Sequence, residues 1–420
     1  MISLITVVAI LCFLIDQSPN QKRTSNPPMT LFNKQRLFLS IFFFLSGFSF
    51  STWASRIPTI KALFDFNDAQ LGTLLLSMPL SSLVGLPISG WLVSRYDSRI
   101  PLSVACGINA ASLALIGFAD STLLLVPSIC LFAFSMRIFN ISVNTQALSL
   151  QKQLGTPIMG SFHGLWSSGG IFGVAVSTVL IAMKVSMPVH LLLAAISGVI
   201  ITAFSYPYLL RNDRSPTGNK IIVGKPDPYI LYLGLLVFFA AICEGGMFDW
   251  SGIYFKEVLH AEVFTYGYLI FMIFMALSRF LSDFVTRKIG MPRAYMLSSL
   301  CVVAGITLSV GFPAFVPALV GFSLVGLGSA AVVPMTYILA GTSKKYSPGM
   351  AISIIATYAI AGMLLGPPLI GYLSHAFNLR VAFITFAIAG VMIIPISQLF
   401  FRYQQKLNEE NNTDSRVIGK

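Results

Sequence analysis

Charged residues are scarce in this chain, and their scarcity excludes an ordinary soluble domain. Asp, Glu, Lys and Arg make up 10% of the 420 residues, whereas 55% are hydrophobic, and the mean hydropathy is +0.81. Soluble domains carry about 25% charged residues, because their surfaces need polar groups. The composition therefore predicts an all-α polytopic membrane protein.

Motifs for catalysis and for metal binding are absent as well. The five cysteines lie within apolar runs and lack the spacing of metal ligands, so we interpret them as small core residues without a disulfide. The sequence has no phosphate-binding loop, no nucleophile with an identifiable base, and no polar segment long enough for a soluble domain. We therefore expect neither an enzyme nor an ATP-driven pump, and no cofactor or metal.

What the sequence does contain is a series of apolar runs. A helix needs roughly 20 apolar residues to cross a hydrocarbon core of about 30 Å. Runs near that length lie at residues 37–57, 71–93, 101–119, 122–147, 158–182, 188–210, 229–252, 264–285, 294–311, 314–341, 350–373 and 379–401. We predict twelve transmembrane helices in two six-helix halves, 37–210 and 229–401. A cytoplasmic linker at 211–228 joins the halves, and tails at 1–36 and 402–420 flank them.

The beginning of the chain is interpreted as a mis-assigned start. The apolar segment at residues 1–15 is too short to span a membrane and lacks the basic region of a secretory signal. Residues 29–36, in contrast, form an ordinary short basic tail. We expect translation to begin at Met29, so that residues 1–28 are not part of the protein.

The basic residues predict the orientation. Twenty of the 27 Lys and Arg residues fall in segments that are cytoplasmic if the N-terminus lies inside the cell. Such a bias places both termini in the cytoplasm. The net charge of +12 is then a consequence of topology, and we expect no nucleic-acid partner. We predict a multi-pass, monomeric protein of the inner (plasma) membrane.

Two pairs of loops repeat between the halves. Arg95–Arg99 joins spans two and three, and Lys288–Arg293 joins spans eight and nine. The segments 152–159 and 344–350 match at nearly the same offset. Duplicated halves of this kind are typical of membrane transporters.

The loop between spans two and three also carries a motif. Gly90, Arg95 and, one residue beyond the last arginine of the pattern, Arg99 fit a Gly-x-x-x-Asp-Arg-x-Gly-Arg-type motif of the major facilitator superfamily, whereas Ser94 and Asp97 depart from it. The chain resembles that family across residues 36–401. The resemblance implies a secondary transporter whose three matching residues act in gating.

Three segments resemble the YbjJ-like branch of that family, which is similar to fucose permease and other sugar permeases. They are Trp53–Pro58, Ser161–Ser167 and Glu244–Ser251. The resemblance implies a sugar-like solute. One position departs, because Asn140 stands where the branch tends to have an aspartate, and an acid-dependent role is not carried over to it.

Two charged residues lie deep within predicted spans. Glu244 lies ~22 Å along span seven, where a carboxylate is costly unless it is paired, protonated or hydrated. It is our candidate for proton coupling or solute binding, with an acid in the outer mouth as the alternative. Arg137 lies at a similar depth in span four and needs an acid, a solute anion or water, unless its side chain snorkels to the surface. Glu244 is one candidate partner.

Uncharged polar residues complete the candidate binding set. Asn140 and Asn144 share a helical face with Arg137 and could bind hydroxyl groups or hold two helices together. In span five, His163 and Trp166 are predicted to face the bundle interior, where the histidine binds solute or simply packs against a neighbour. The Trp166 ring could stack on the apolar face of a sugar.

Further expectations concern gating and packing. Arg279 and Asp283 are spaced for an i,i+4 ion pair at a cytoplasmic gate. Pro334 and the pair Pro367–Pro368 are expected to interrupt spans ten and eleven, with a kink required only for packing as the alternative. The tryptophans near span ends, Trp53 and Trp250, are assigned to interfacial belts, and Gly169 and Gly173 to close helix packing.

The leading hypothesis is a secondary active transporter that moves a small polar, sugar-like solute by alternating access, as a proton symporter through Glu244. Efflux of amphipathic compounds is one alternative. A solute sensor of the same fold that transports nothing is another. The lipid bilayer, the solute and protons are the expected partners.

Overall fold

The computed structural model describes residues 31–154, 158–213, 227–343, 345–346 and 348–418. The predicted mis-assigned start at 1–28 lies outside these residues. The helices of the described part are α1 Leu31–Ala54, α2 Ile57–Leu63, α3 Asp68–Arg95, α4 Arg99–Phe118, α5 Thr122–Leu154, α6 Met159–Ala182, α7 Met187–Ser205, α8 Pro228–Ile253, α9 Tyr266–Ile289, α10 Met291–Gly311, α11 Phe315–Ala340, α12 Pro348–Ala376 and α13 Leu379–Ile418.

The predicted all-α membrane fold is confirmed. By length and composition, eleven helical segments of the described chain could cross a membrane, with α1 and α2 counted as one span. The remaining predicted span corresponds to α9, whose apolar part, Tyr266–Ser282, is shorter. Helix α9 itself continues to Ile289.

Two expectations about individual helices differ from the structure. Helices α11 and α12 run through Pro334 and Pro367–Pro368 without a break, so the predicted interruptions are wrong. A membrane helix tolerates proline where neighbouring groups satisfy the freed backbone. Helix α13 continues to Ile418, beyond residue 401, where the last span was predicted to end.

Helix ends follow local chemistry. Helix α8 begins after Asp227, whose side chain accepts a hydrogen bond from the Ile230 N–H at 3.0 Å, and Pro228 occupies the first turn. Both residues are favoured at a helix start. Gly290, at φ +81°, separates α9 from α10 with a backbone conformation that other residues rarely adopt.

The helices form two compact units. Of the described residues, those up to 65 and those from 77 to 213 form unit 1, and those from 66 to 76 and from 227 onward form unit 2. In unit 1, α1 packs on α6, α5 and α7, and α4 packs on α5 and α7. In unit 2, α8 packs on α12, α11 and α13, and α10 packs on α11 and α13.

The two sets of helix pairs correspond when α1, α4, α5, α6 and α7 are matched with α8, α10, α11, α12 and α13. The internal repeat predicted from the loops therefore has a structural counterpart. The exact boundaries of the predicted halves stay a prediction.

Candidate functional site

Unit 2 contains a buried ion pair. Glu244 on α8 is 4% exposed, and its Oε2 lies 3.6 Å from Nη2 of Arg279 on α9. A carboxylate within a membrane span is costly, and an opposite charge at this distance offsets part of that cost. The second oxygen, Oε1, is buried and has no hydrogen-bond partner in the described part of the chain. Glu244 is therefore bound on one side only.

Arg279 has a partner that was not predicted. The sequence suggested Asp283, one turn further along α9, and the structure shows a contact with Glu244 on the neighbouring helix. The side chain of Asp283 lies outside the described residues, so the i,i+4 pair stays a prediction. Glu244 was expected to be an outer-mouth acid if it had no function, and its burial in the structure does not fit that alternative.

Helix α8 is closely packed around Glu244. A Cβ on Gly246 would lie 2.3 Å from the Phe386 ring, so only glycine fits there without a shift. Trp250 is fully buried and donates from Nε1 to the Pro367 carbonyl at 3.2 Å. Trp53 in unit 1 is 1% exposed. The assignment of these two tryptophans to interfacial belts is therefore wrong.

Arg137 in unit 1 has a neutral partner. Its Nε donates to the Ser82 hydroxyl on α3 at 2.7 Å. The stem of the arginine lies over Gly85, where an added Cβ would be 3.2 Å from the Arg137 Cβ. The side chain is half-buried, and no acid of the described residues lies within ion-pair distance of it. Sequence reasoning missed Ser82, although a serine pair within an apolar span was a signal.

A stripe of amides continues from Arg137 along α5. The Ser46 hydroxyl of α1 donates to Oδ1 of Asn140 at 3.0 Å, and Nδ2 of Asn144 donates to the Asn140 carbonyl at 2.7 Å. Both asparagines are half-buried. Asn140 therefore connects two helices, while within the described residues the rest of each amide is available for other polar groups.

His163 and Trp166 lie on α6, beside α1. His163 is exposed and its ring meets that of Phe43 edge-on at 5.8 Å, whereas Trp166 is half-buried and 6.4 Å from the Phe50 ring. Both rings therefore pack against aromatic side chains of α1. Their role in binding stays a prediction.

The same part of α6 packs very closely against α1. A Cβ on Gly169 would lie 2.0 Å from the Phe44 carbonyl oxygen, and one on Gly173 would lie 2.8 Å from that of Phe48. From the other side, a Cβ on Gly47 would lie 2.0 Å from the Trp166 carbonyl oxygen. The backbones of α1 and α6 touch here, as the two glycines of α6 predicted.

The predicted gating residues of unit 1 lie on either side of the loop between α3 and α4. Arg95 is exposed, and Arg99 lies 4.0 Å from Asp97 with its guanidinium 5.3 Å from the Tyr206 ring centre. No described residue lies within 4 Å of a Cβ placed on Gly90, so packing in this part of the chain does not explain that glycine. The gating role of these residues stays a prediction.

Asp213 anchors the same loop and was missed from the sequence. Its carboxylate accepts hydrogen bonds from the Ser98 backbone N–H, at 2.9 Å, and from the Ser98 hydroxyl. These bonds satisfy a donor at the start of α4. Asp213 lies in the predicted linker, where it was considered only as part of a polar stretch, and nothing in the local sequence pointed to Ser98.

A buried cationic cluster at the other end of unit 1 was also missed. Arg56 is 4% exposed, donating from Nε to Nδ1 of His190 at 3.0 Å and from Nη2 to the Val185 carbonyl at 2.9 Å. Nε2 of His190 lies 3.5 Å from the Ser177 hydroxyl. Because Nδ1 accepts from a guanidinium, the ring is neutral with its proton on Nε2.

Comparisons with known proteins agree with this architecture. A family model described as Major Facilitator Superfamily matches residues 1–167. An uncharacterized transporter of Sinorhizobium fredii is 30% identical over 358 residues, covering 84% of this chain and 94% of that protein. An uncharacterized MFS-type transporter of Yersinia pestis is 28% identical over 351 residues, covering 83% and 91%. The solved structure of the nucleoside transporter NupG has a similar fold, with a TM-score of 0.65 at 15% identity over 87% of this chain and 98% of that one.

Proposed function

Because the chain belongs to the major facilitator superfamily and is a secondary transporter, not an enzyme, we propose that it carries a small polar, sugar-like solute by alternating access. A proton is the proposed coupling ion. The sugar-like character rests on the three segments that resemble the YbjJ-like branch and fucose permease. The named relatives are described only as transporters.

The Glu244–Arg279 pair carries the proposal of proton coupling. Glu244 is buried, and one of its oxygens lacks a partner in the described chain while the other lies 3.6 Å from a guanidinium. Such a carboxylate can exist ionised beside Arg279 or protonated and free of it. Two states of one buried acid, each with a different arrangement of its neighbours, are what a coupling group requires.

The test uses proteoliposomes and a solute found by a thermal-shift screen of sugars, polyols and sugar acids. Glu244→Gln is expected to abolish uphill accumulation driven by a proton gradient while counterflow exchange survives, because glutamine fills the site without titrating. Glu257→Gln, which removes an exposed acid just after α8, serves as the matched control. Uphill accumulation by Glu244→Gln at the wild-type level would refute coupling through this residue.

Efflux of an amphipathic compound is the second candidate function. An apolar groove of about 320 Å³ between α1, α6 and α7 favours it, with Phe44, Phe48, Phe172 and Ile196 among the lining residues. Drug sensitivity of a deletion strain, without a growth defect on any sugar, would favour efflux over uptake.

A protein that binds a sugar in liposomes but shows no flux would be a sensor instead.

Placement in the membrane is part of the proposal. We propose a monomer in the inner (plasma) membrane with both termini cytoplasmic. Support comes from the twenty basic residues that share one side under this orientation. Single cysteines introduced at the exposed positions 120 and 406 are labelled with a membrane-impermeant reagent in intact cells. Reaction at the first position alone is expected, and reaction at the second but not the first would contradict the orientation.

A further inference from the structure

We propose that the solute is an anion, a hydroxylated monocarboxylate, and that its carboxylate binds the guanidinium of Arg137. The inference rests on the proposed transport function and specifies the substrate class of the same site.

The guanidinium of Arg137 lies far from the ends of the helices that hold it. Arg137 lies fifteen residues after Thr122, ~22 Å along α5 at helical rise. Its hydrogen-bond partner, Ser82, lies near the middle of α3, which runs from Asp68 to Arg95. The guanidinium is therefore held midway along both helices and does not reach to a helix end. Snorkelling, the alternative left open by the sequence, does not describe this side chain.

The positive charge of Arg137 has no counterion among the described residues. A cation within a span is costly unless an anion or water compensates it. The hydroxyl of Ser82 is neutral and engages only Nε, so within the described part of the chain the four N–H bonds of the two terminal nitrogens are left for another group. Within the described residues no acid lies close enough to pair with Arg137.

Other arginines within spans are bound differently. Arg279 has Glu244 as its counterion, and Arg56 is nearly enclosed by the His190 ring and the Val185 carbonyl. Arg137 is only half-buried, and within the described residues its one side-chain hydrogen bond is to the neutral Ser82 hydroxyl. Of these three arginines, it alone combines accessibility with an uncompensated charge.

The shape of the site indicates the rest of the ligand. A guanidinium binds a carboxylate through two parallel hydrogen bonds, and the single positive charge of the guanidinium neutralises the single negative charge of the carboxylate. A phosphate dianion would leave a surplus negative charge in the span. Asn140 and Asn144 continue along the same face for about 10 Å, and their amides suit hydroxyl groups. A sugar acid satisfies both parts of the site.

Matched pairs of ligands test the proposal on the purified full-length protein. D-gluconate is compared with D-glucitol, D-galacturonate with D-galactose, and glycerate with glycerol, each titrated in a thermal-shift assay. We expect at least one acid to bind on the order of tenfold or more tightly than its neutral partner, as expected for hydrogen bonds to a charged group.

Three variants test whether Arg137 is responsible for the tighter binding of the acids. Arg137→Gln is expected to remove the preference for the acid, whereas Arg137→Lys keeps part of it because the charge remains. Lys152→Gln removes an exposed positive charge from the end of the same helix and is the matched control, with the preference unchanged. Equal melting temperatures of the variants without ligand would show that folding is intact.

The possible outcomes distinguish a failure of the anion proposal from a failure of the transport proposal on which it rests. Equal binding of acids and their neutral partners, no binding of any acid, or a preference that survives Arg137→Gln would each overturn the inference. Counterflow of a neutral sugar by the wild-type protein would leave the transport proposal standing without the anion. Absence of flux for every bound solute would overturn the transport proposal itself.

Discussion

The contact between α1 and α6 predicts that Gly169→Ala destabilises the protein. A Cβ at this position would lie 2.0 Å from the Phe44 carbonyl oxygen, 2.7 Å from the Phe44 carbonyl carbon and 2.9 Å from the Phe44 Cα. All three atoms are backbone, so no side chain can rotate away. An ordinary contact between two heavy atoms is about 3.5 Å long. The two helices must therefore separate by more than about 1 Å to make room for the methyl group.

The size of the effect follows from two contributions. Inserting a methyl group into a closely packed interface costs about 1–3 kcal/mol. Separation of the helices also weakens backbone Cα–H···O contacts, worth about 0.5–1 kcal/mol each. A loss of about 2–3 kcal/mol corresponds to a fall in melting temperature of about 5–10 °C, using the scale of domains with about 150–250 residues.

Thermal melting in detergent at a fixed scan rate measures the effect. Gly107→Ala is the matched control, because none of the residues that the structure describes lies within 4 Å of a Cβ at that helical position. Gly47→Ala disturbs the same contact from α1, so combining it with Gly169→Ala should cost less than the sum of the two. The reasoning is refuted if Gly169→Ala melts within about 2 °C of the wild type, as the control is expected to do.

Two further predictions concern contacts that the sequence did not reveal. His190→Leu leaves the buried Arg56 guanidinium without its ring acceptor and should cost about 1.5–3 kcal/mol in melting experiments, whereas His190→Gln, which keeps an acceptor, should cost less. Equal stability of the two variants would contradict this account. Asp213→Ala removes the partner of the Ser98 N–H and should cost about 0.5–2 kcal/mol, with Asp213→Asn closer to the wild type. An alanine variant as stable as the wild type would show that the loop does not depend on this carboxylate.

Hydrophobic runs were sufficient to predict the helices of this protein, because crossing a membrane imposes length and composition on each segment. They were not sufficient to predict helix ends. Helix α13 continues to Ile418 after the apolar run stops, since a helix can extend into water once its spanning part is formed. Proline was also a poor guide, because α12 passes through Pro367 and Pro368.

Single buried residues of the candidate site could be identified from the sequence, but contacts between helices could not. Glu244 was singled out because a carboxylate far inside an apolar run is costly wherever it points. Its contact with Arg279 depends on how α8 and α9 are rotated about their axes, which no local spacing encodes. The pairs Arg56–His190 and Ser98–Asp213 are separated by more than a hundred residues and were missed for the same reason.

The burial of one tryptophan in each unit has a consequence for optical measurements. Trp53 belongs to unit 1 and Trp250 to unit 2, and they are 1% and 0% exposed, whereas Trp91 is 56% exposed. Indole emission moves to longer wavelength when water reaches the ring. A variant that keeps only Trp53 and another that keeps only Trp250 therefore give each unit its own fluorescent signal, so that the order in which the two units unfold can be read from unmodified side chains.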